Sequence, residues 1–294
     1  MSDRLPDFKA RAAQAHEAMT DAETERVLEG GRSWDLAPTL RSGGSLIFPH
    51  TTMASSGHHA AAAVHACLDS GATRVLVLGT LHALDEDLEA SRVRVANGGD
   101  PSAEASWGVQ GPGASGRSDW LREFSLDHFL FLWEAETKRR GTEGPELVLR
   151  YPYLAGGHPE DMPGIEELEE LVRSSAVIAT IDPFHHGVGY GDAPDEALPP
   201  EAGGLVVARE SIDEGLSLLR EGDYAGYNRH CVLAKSDGRD VGQVLRHLLG
   251  PLEWRIIDIV ADDMSEVYRA PAPTWVAGAL VELTPAGPDA GPID

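Results

Sequence analysis

Cysteine is nearly absent: the 294 residues include only Cys67 and Cys231, with no CxxC anywhere. That excludes a disulfide framework and a cysteine-built zinc site. Long apolar runs are missing too. No stretch approaches the roughly 18 consecutive apolar residues that cross a bilayer, and the opening MSDRLPDFKARAAQAHEAM lacks the apolar core of a secretory signal. Basic residues are scarce, 24 Lys and Arg against 48 Asp and Glu, for a net charge of −24. A field of that sign repels nucleic-acid phosphates and anionic membrane surfaces, so neither is an expected partner. No block of like charge is long enough to form a tail, and the acidity reads as a solvated surface. The expected setting is a reducing cytoplasm. GxSxG, GxxxxGKS or GxxxxGKT, and HExxH are all missing. GVGYG at 187–191 lacks the full spacing and the following helix of a dinucleotide turn.

What is present is ordinary for a folded chain: 42% hydrophobic residues, with 32 Gly and 19 Pro. The expected organisation is a single α/β domain over 1–294, with a helical N-terminal extension at 1–43 and a frayed tail at 285–294. Residues 7–29 have helical spacing and predict a surface helix, broken at Gly30-Gly31. Strand-like runs follow: SLIF at 45, RVLVLG at 74, LVLRY at 147, AVIATI at 176, RIIDIV at 255 and WVAGALVEL at 275. Candidate helices lie at 58–69, 119–139, 165–174, 207–220 and 240–249, the last capped by Asp237 or Asp240. The fold class expected is α/β, a central and mostly buried sheet with helices on both faces. Gly, Ser and Pro make 97–117 a long loop that could fold over a pocket, and 187–204 a second one.

Three strand ends each carry polar chemistry. His50 follows SLIFP, His82 follows VLVLG by three residues, and Asp182 and His185 follow VIATI. Ligands of open α/β sheets gather outside the carboxyl ends of the strands, so three separate segments place a histidine on one rim. A single histidine after a strand is more often a hydrogen-bonded loop residue; the coincidence of three is the signal. His58 and His59 fall in the first turn of HHAAAAVHACL, where a positive dipole end disfavours imidazolium. Either could line a pocket as a neutral group, and His65 reads as a surface or packing residue.

The order of motifs resembles the Memo-like family. PHTTMASSGHHAAAAV is similar to its PHAGY…SG…AA stretch, VLVLGTLH to LGPSHH, IATIDPFHHG to SSDFxHxG, SDGRDVGQVLRHLL to CGRxPIxxLL, and WVAGAL to SYAAGAL. The likeness is colinear over residues 44–284. It implies the α/β fold shared with class III extradiol dioxygenases and a metal cleft. It also implies His50, His82 and Asp237 as ligands, with His185 as proton shuttle and Asp182 holding it in one tautomer. His58, His128 and His186 are candidate pocket-lining or outer hydrogen-bonding groups. Thr52, Met53 and Ala83 depart from the family pattern, and Asp237 stands where Memo-like proteins have cysteine. Two imidazoles with one carboxylate suit Fe(II), with Zn(II) or copper as alternatives. The expected partners are a small organic substrate and dioxygen. The rival readings are a zinc hydrolase on the same ligands and a non-catalytic metal-binding or interaction protein; the oligomeric state is left open.

Overall fold

The computed structural model describes residues 7–82, 86–114 and 116–287. Ala83 and most of the expected tail lie outside them. The strands are β1 (Ser45–Phe48), β2 (Arg74–Leu78), β3 (Gly108–Gln110), β4 (Glu146–Tyr153), β5 (Ala176–Thr180), β6 (Phe184–Gly187), β7 (Leu252–Asp263) and β8 (Thr274–Pro285). The helices are α1 (Phe8–Ala18), α2 (Asp21–Gly31), α3 (Ala37–Arg41), α4 (Met53–Asp69), α5 (Glu86–Ala96), α6 (Asp127–Arg140), α7 (Ile165–Val172), α8 (Gly204–Glu221), α9 (Tyr224–Ala234), α10 (Arg239–Leu249) and α11 (Ser265–Tyr268).

The chain is α/β, built on a mixed eight-stranded sheet ordered β3-β4-β2-β5-β1-β8-β6, with β7 paired to β8. The four strands β4, β2, β5 and β1 run parallel, so β2, β5 and β1 end side by side on one rim. Strand alternation divides the core. Phe48, Val75, Val77 and Ile178 pack against α2, α3, α4 and α6 on one face. Ile47, Leu76, Leu78 and Val177 pack against α7, α8, α9 and α10 on the other. The small side chains of Ala60 to Ala63 let α2 lie close on α4: a Cβ added at Gly31 would stand 2.5 Å from the Ala62 nitrogen.

Several expectations are corrected. The 7–29 helix is two helices, because Thr20 and Glu23 form a capping box that starts α2, while Gly30 and Gly31 continue its last turn. α4 begins at Met53, five residues before His58, so His58 and His59 lie beyond its first turn. The expected helix at 119–139 starts as a short 3₁₀ turn and becomes α6 only at Asp127. The 97–117 loop is tied to the outer sheet edge, where β3 pairs with β4. His185 and His186 lie inside β6, a strand that no apolar run announced, which pairs with β8. Among the described residues no helix is long and apolar enough to cross a membrane.

Candidate metal centre

The rim formed by β1, β5 and β2 delivers His50, Asp182 and His82 from adjacent strand ends. Asp237 joins them from the turn before α10. The structure brings His50, His82 and Asp237 into one cluster whose ligating atoms all lie within 4.8 Å of one another. Asp237 Oδ2 is 3.1 Å from His50 Nε2 and 3.6 Å from His82 Nε2. The two rings stand edge to face at 5.3 Å.

Asp237 is not the helix cap. The residue at the start of α10 is Gly238, whose N–H donates to Ser236 Oγ, and no side chain caps the helix. The other candidate cap, Asp240, is drawn off to Arg92 and to the Leu154 N–H. Asp237 Oδ1 accepts from the Asp182 N–H at 2.8 Å, which aims Oδ2 at the two imidazoles. Both Asp237 Oδ2 and His50 Nε2 are buried without a hydrogen bond, although only 3.1 Å apart. A buried acceptor beside a ring nitrogen at the wrong angle for a hydrogen bond is costly unless a third species sits between them. Two donors about 2.0–2.1 Å from a tetrahedral ion stand about 3.4 Å apart, so the spacing and the N₂O donor set both fit a small divalent metal.

The opposite edge of each imidazole is anchored, as metal-binding histidines require. Glu123 Oε1 accepts from His82 Nδ1 at 2.8 Å, and His50 Nδ1 meets Thr180 Oγ1 at 2.9 Å. Glu123 also accepts the N–H groups of His82, Phe124 and Ser125. Neither Glu123 nor Thr180 was legible as a site residue, since each acts through a partner distant in the chain.

Burial opposes charge on His82, but the Glu123 and Asp237 carboxylates outweigh it and push its pKa up to about 10. The same contest, with Asp182 and Asp237 as the opponents of burial, raises His50. For Asp237 burial works upward, yet the two imidazoles hold it well below the usual carboxylate range. Burial lifts Asp182 to about 7, aided by the neighbouring Asp237. Three carboxylates thus surround the paired imidazoles in a water-poor rim, a field that attracts a cation.

Asp182 Oδ1 accepts from the His50 N–H at 3.0 Å, so it orients the His50 segment. It also shares a cluster with His185 and Asp237, again within 4.8 Å. His185 Nδ1 is buried without a hydrogen-bond partner among the described residues, and burial pushes this histidine down to about 4. Its ring is therefore neutral at pH 7.

An aromatic wall covers the cluster. Phe124 stacks on His82 at 4.5 Å and Phe8 of α1 stacks on Phe124 at 5.1 Å. Tyr190 packs on His185 at 4.9 Å and on Tyr268 at 4.8 Å. Lys9 straps α1 in place by donating to the Leu121 and Glu123 carbonyls at 2.9 and 2.8 Å. The cover thus comes from α1 and 120–125, and the 97–117 loop expected to close the cleft lies at the sheet edge. A cavity of about 370 Å³ adjoins the wall, bounded by Phe8, Thr51, Phe124, His128 and Met264.

The remaining histidines separate cleanly. His128 borders that cavity and meets His16 at 2.7 Å. Strand alternation turns His186 away from His185. It pairs with Asp192 at 3.0 Å and accepts the Leu198 N–H, which pins the 187–204 segment instead of lining the cluster. His65 donates to the Leu28 carbonyl, a packing role. His58 stacks on Trp34, apart from the His50 cluster. Neither the protein-family models nor the curated proteins compared with this chain give a match.

Proposed function

We propose that His50, His82 and Asp237 hold one divalent metal, Fe(II) for preference, and that the protein is a non-haem metal-dependent oxygenase acting on a small organic substrate. The reading includes membership of the Memo-like family and its extradiol-dioxygenase type of α/β fold. One observation carries it: His50 Nε2 and Asp237 Oδ2, buried and unbonded at 3.1 Å, face each other with His82 Nε2 completing a triangle. Two histidines with one carboxylate are the donor set of Fe(II) oxygen chemistry, and such an ion leaves adjacent positions for substrate and dioxygen.

The chain's own residues supply the rest. Glu123 and Thr180 fix the ring edges of His82 and His50, so the donors need no reorganisation when the ion arrives. His185, neutral and with Nδ1 unpaired, is placed to take a proton from a bound substrate and return it. Phe8, Phe124, Tyr190 and Tyr268 wall the cluster, which shields His50, Asp182 and Asp237 while His82 stays 29% exposed. The adjoining 370 Å³ cavity is within the size range of small-molecule sites.

The test is reconstitution of metal-stripped protein under anaerobic conditions, followed by metal analysis and exposure to nitric oxide as a stand-in for dioxygen. One equivalent of Fe(II) forming a nitrosyl signal, both lost in His50→Ala, is the expected result. Tight zinc with no stable iron would favour the hydrolase that uses the same ligands. Full iron occupancy in His50→Ala would overturn the assignment.

A further inference from the structure

A second pair of imidazoles with a carboxylate lies on the molecule, sharing no side chain with the first. His58 and His59 of α4 and Asp258 of β7 place one ligating atom each within 4.8 Å of one another. Asp258 Oδ2 accepts a hydrogen bond from His59 Nε2 at 3.1 Å, which an ion would replace, and lies 3.7 Å from His58 Nε2; the two distances bracket the separation of about 3.4 Å expected around a tetrahedral ion.

Two features of the chain bring this about against its own tendencies. Consecutive helix residues point about 100° apart, yet the His58 and His59 rings converge to 4.2 Å, with the Trp34 ring within 5.8 Å of both. Asp258 is turned by a β-bulge. Leu252, Trp254 and Ile256 pack toward α8 and α10, and unbroken alternation would send Asp258 the same way. Instead Ile256 pairs with Val281 and Asp258 with Leu280, leaving Ile257 as the extra residue. From there the phase is reversed: Ile257 packs on the α4 side, Ile259 on the opposite side, and the Asp258 carboxylate faces α4. Bulges recur where a strand must re-aim a side chain. His59 is fully buried, and Asp258 is the polar group its ring reaches, since its Nδ1 has no hydrogen-bond partner among the described residues.

We infer that His58, His59 and Asp258 form a second divalent-metal site, of the zinc class, that clips the edge strand β7 to α4. The donors are two borderline nitrogens and one oxygen, a set that zinc accepts. His58 and Asp258 remain 30% and 41% exposed, so the fourth position opens to water. β7 pairs with β8 alone, and the ion gives this outer strand a second attachment.

The experiment counts zinc bound by the metal-stripped full chain, using equilibrium dialysis and elemental analysis on wild type, His58→Ala, Asp258→Asn and His50→Ala. His59 is left intact because its burial makes a folding defect the expected result of changing it. Wild type takes two equivalents and each variant one, and zinc raises the melting temperature of His50→Ala but not of His50→Ala combined with Asp258→Asn. Zinc uptake in both His58→Ala and Asp258→Asn equal to wild type overturns the site, as does a single wild-type equivalent that disappears in His50→Ala, or no uptake at all. A single equivalent that survives in His50→Ala and is lost in Asp258→Asn upholds this site and removes the ion of the proposed function.

Discussion

Glu123→Gln isolates the role of the carboxylate behind His82. Four donors converge on Glu123: His82 Nδ1, Phe124 N and Ser125 N on Oε1, and His82 N on Oε2. Glutamine keeps the volume and one acceptor oxygen, but its amide nitrogen must face at least one of these buried donors. Leaving a buried donor unpaired costs about 1–3 kcal/mol of folding stability. The larger consequence is at the ion, because loss of an outer carboxylate lowers metal affinity by about 10- to 100-fold, or about 1.4–2.8 kcal/mol. Competition against a chromophoric chelator at neutral pH reads the affinity, and urea unfolding of the metal-free protein reads the stability. Glu146→Gln is the control, since its ion pair with Arg74 is solvent-exposed and worth less than about 1 kcal/mol. A variant that loses stability but binds the ion as tightly as wild type would refute the claim that His82 is a ligand oriented by Glu123.

Other outcomes follow from the same geometry. Because His82 without the ion titrates near 10, it carries a proton at neutral pH that the metal must displace. Binding should therefore tighten as pH rises toward 10 and release at least one proton, measured by calorimetry in buffers of different ionisation enthalpy; zero release contradicts the assignment. Asp237→Cys should move selectivity from iron toward zinc or copper, read by competitive metal loading. His185→Ala should retain one equivalent of metal while slowing turnover by roughly 10²- to 10⁴-fold, seen as normal elemental content with depressed oxygen uptake. Gly31→Ala, whose new Cβ would lie 2.5 Å from the Ala62 nitrogen and 2.7 Å from Ala61 Cβ, should destabilise by about 1–3 kcal/mol in urea.

Six of the eight strands were legible: LVLRY and RIIDIV marked the less buried β4 and β7, and the strands buried on both faces, β1, β2, β5 and β8, are continuous aliphatic runs. Their carboxyl ends pointed directly to His50, His82 and Asp182. β6 was illegible: FHHG has no apolar run, and it is a strand only because β8 offers it an edge. α5 and α9 were missed for a related reason, since EDLEASRVRVA and YAGYNRHCVLA show little one-sided apolar spacing and owe their place to packing on each other. The split between α1 and α2 was written in Thr20-x-x-Glu23 but outweighed by the longer periodicity around it. Glu123, Tyr190 and Tyr268 had no local signal, since their meaning lies in which distant ring each one touches. Of the two readings of Asp237, Gly238 and Ser236 remove the cap, since they settle the helix start without it.

Lys9 and Phe8 tie the first helix over the rim, while the carboxylate that joins the two imidazoles, Asp237, follows His82 by 155 residues of chain. A ribosome therefore releases both imidazoles long before their acidic partner exists. Until then the nascent chain offers only an incomplete chelate, and β7 and β8 are made later still, so the proposed ion cannot seed the strands that precede Asp237. If the ion binds as proposed, cells starved of it should accumulate a folded, vacant protein that can be charged afterwards.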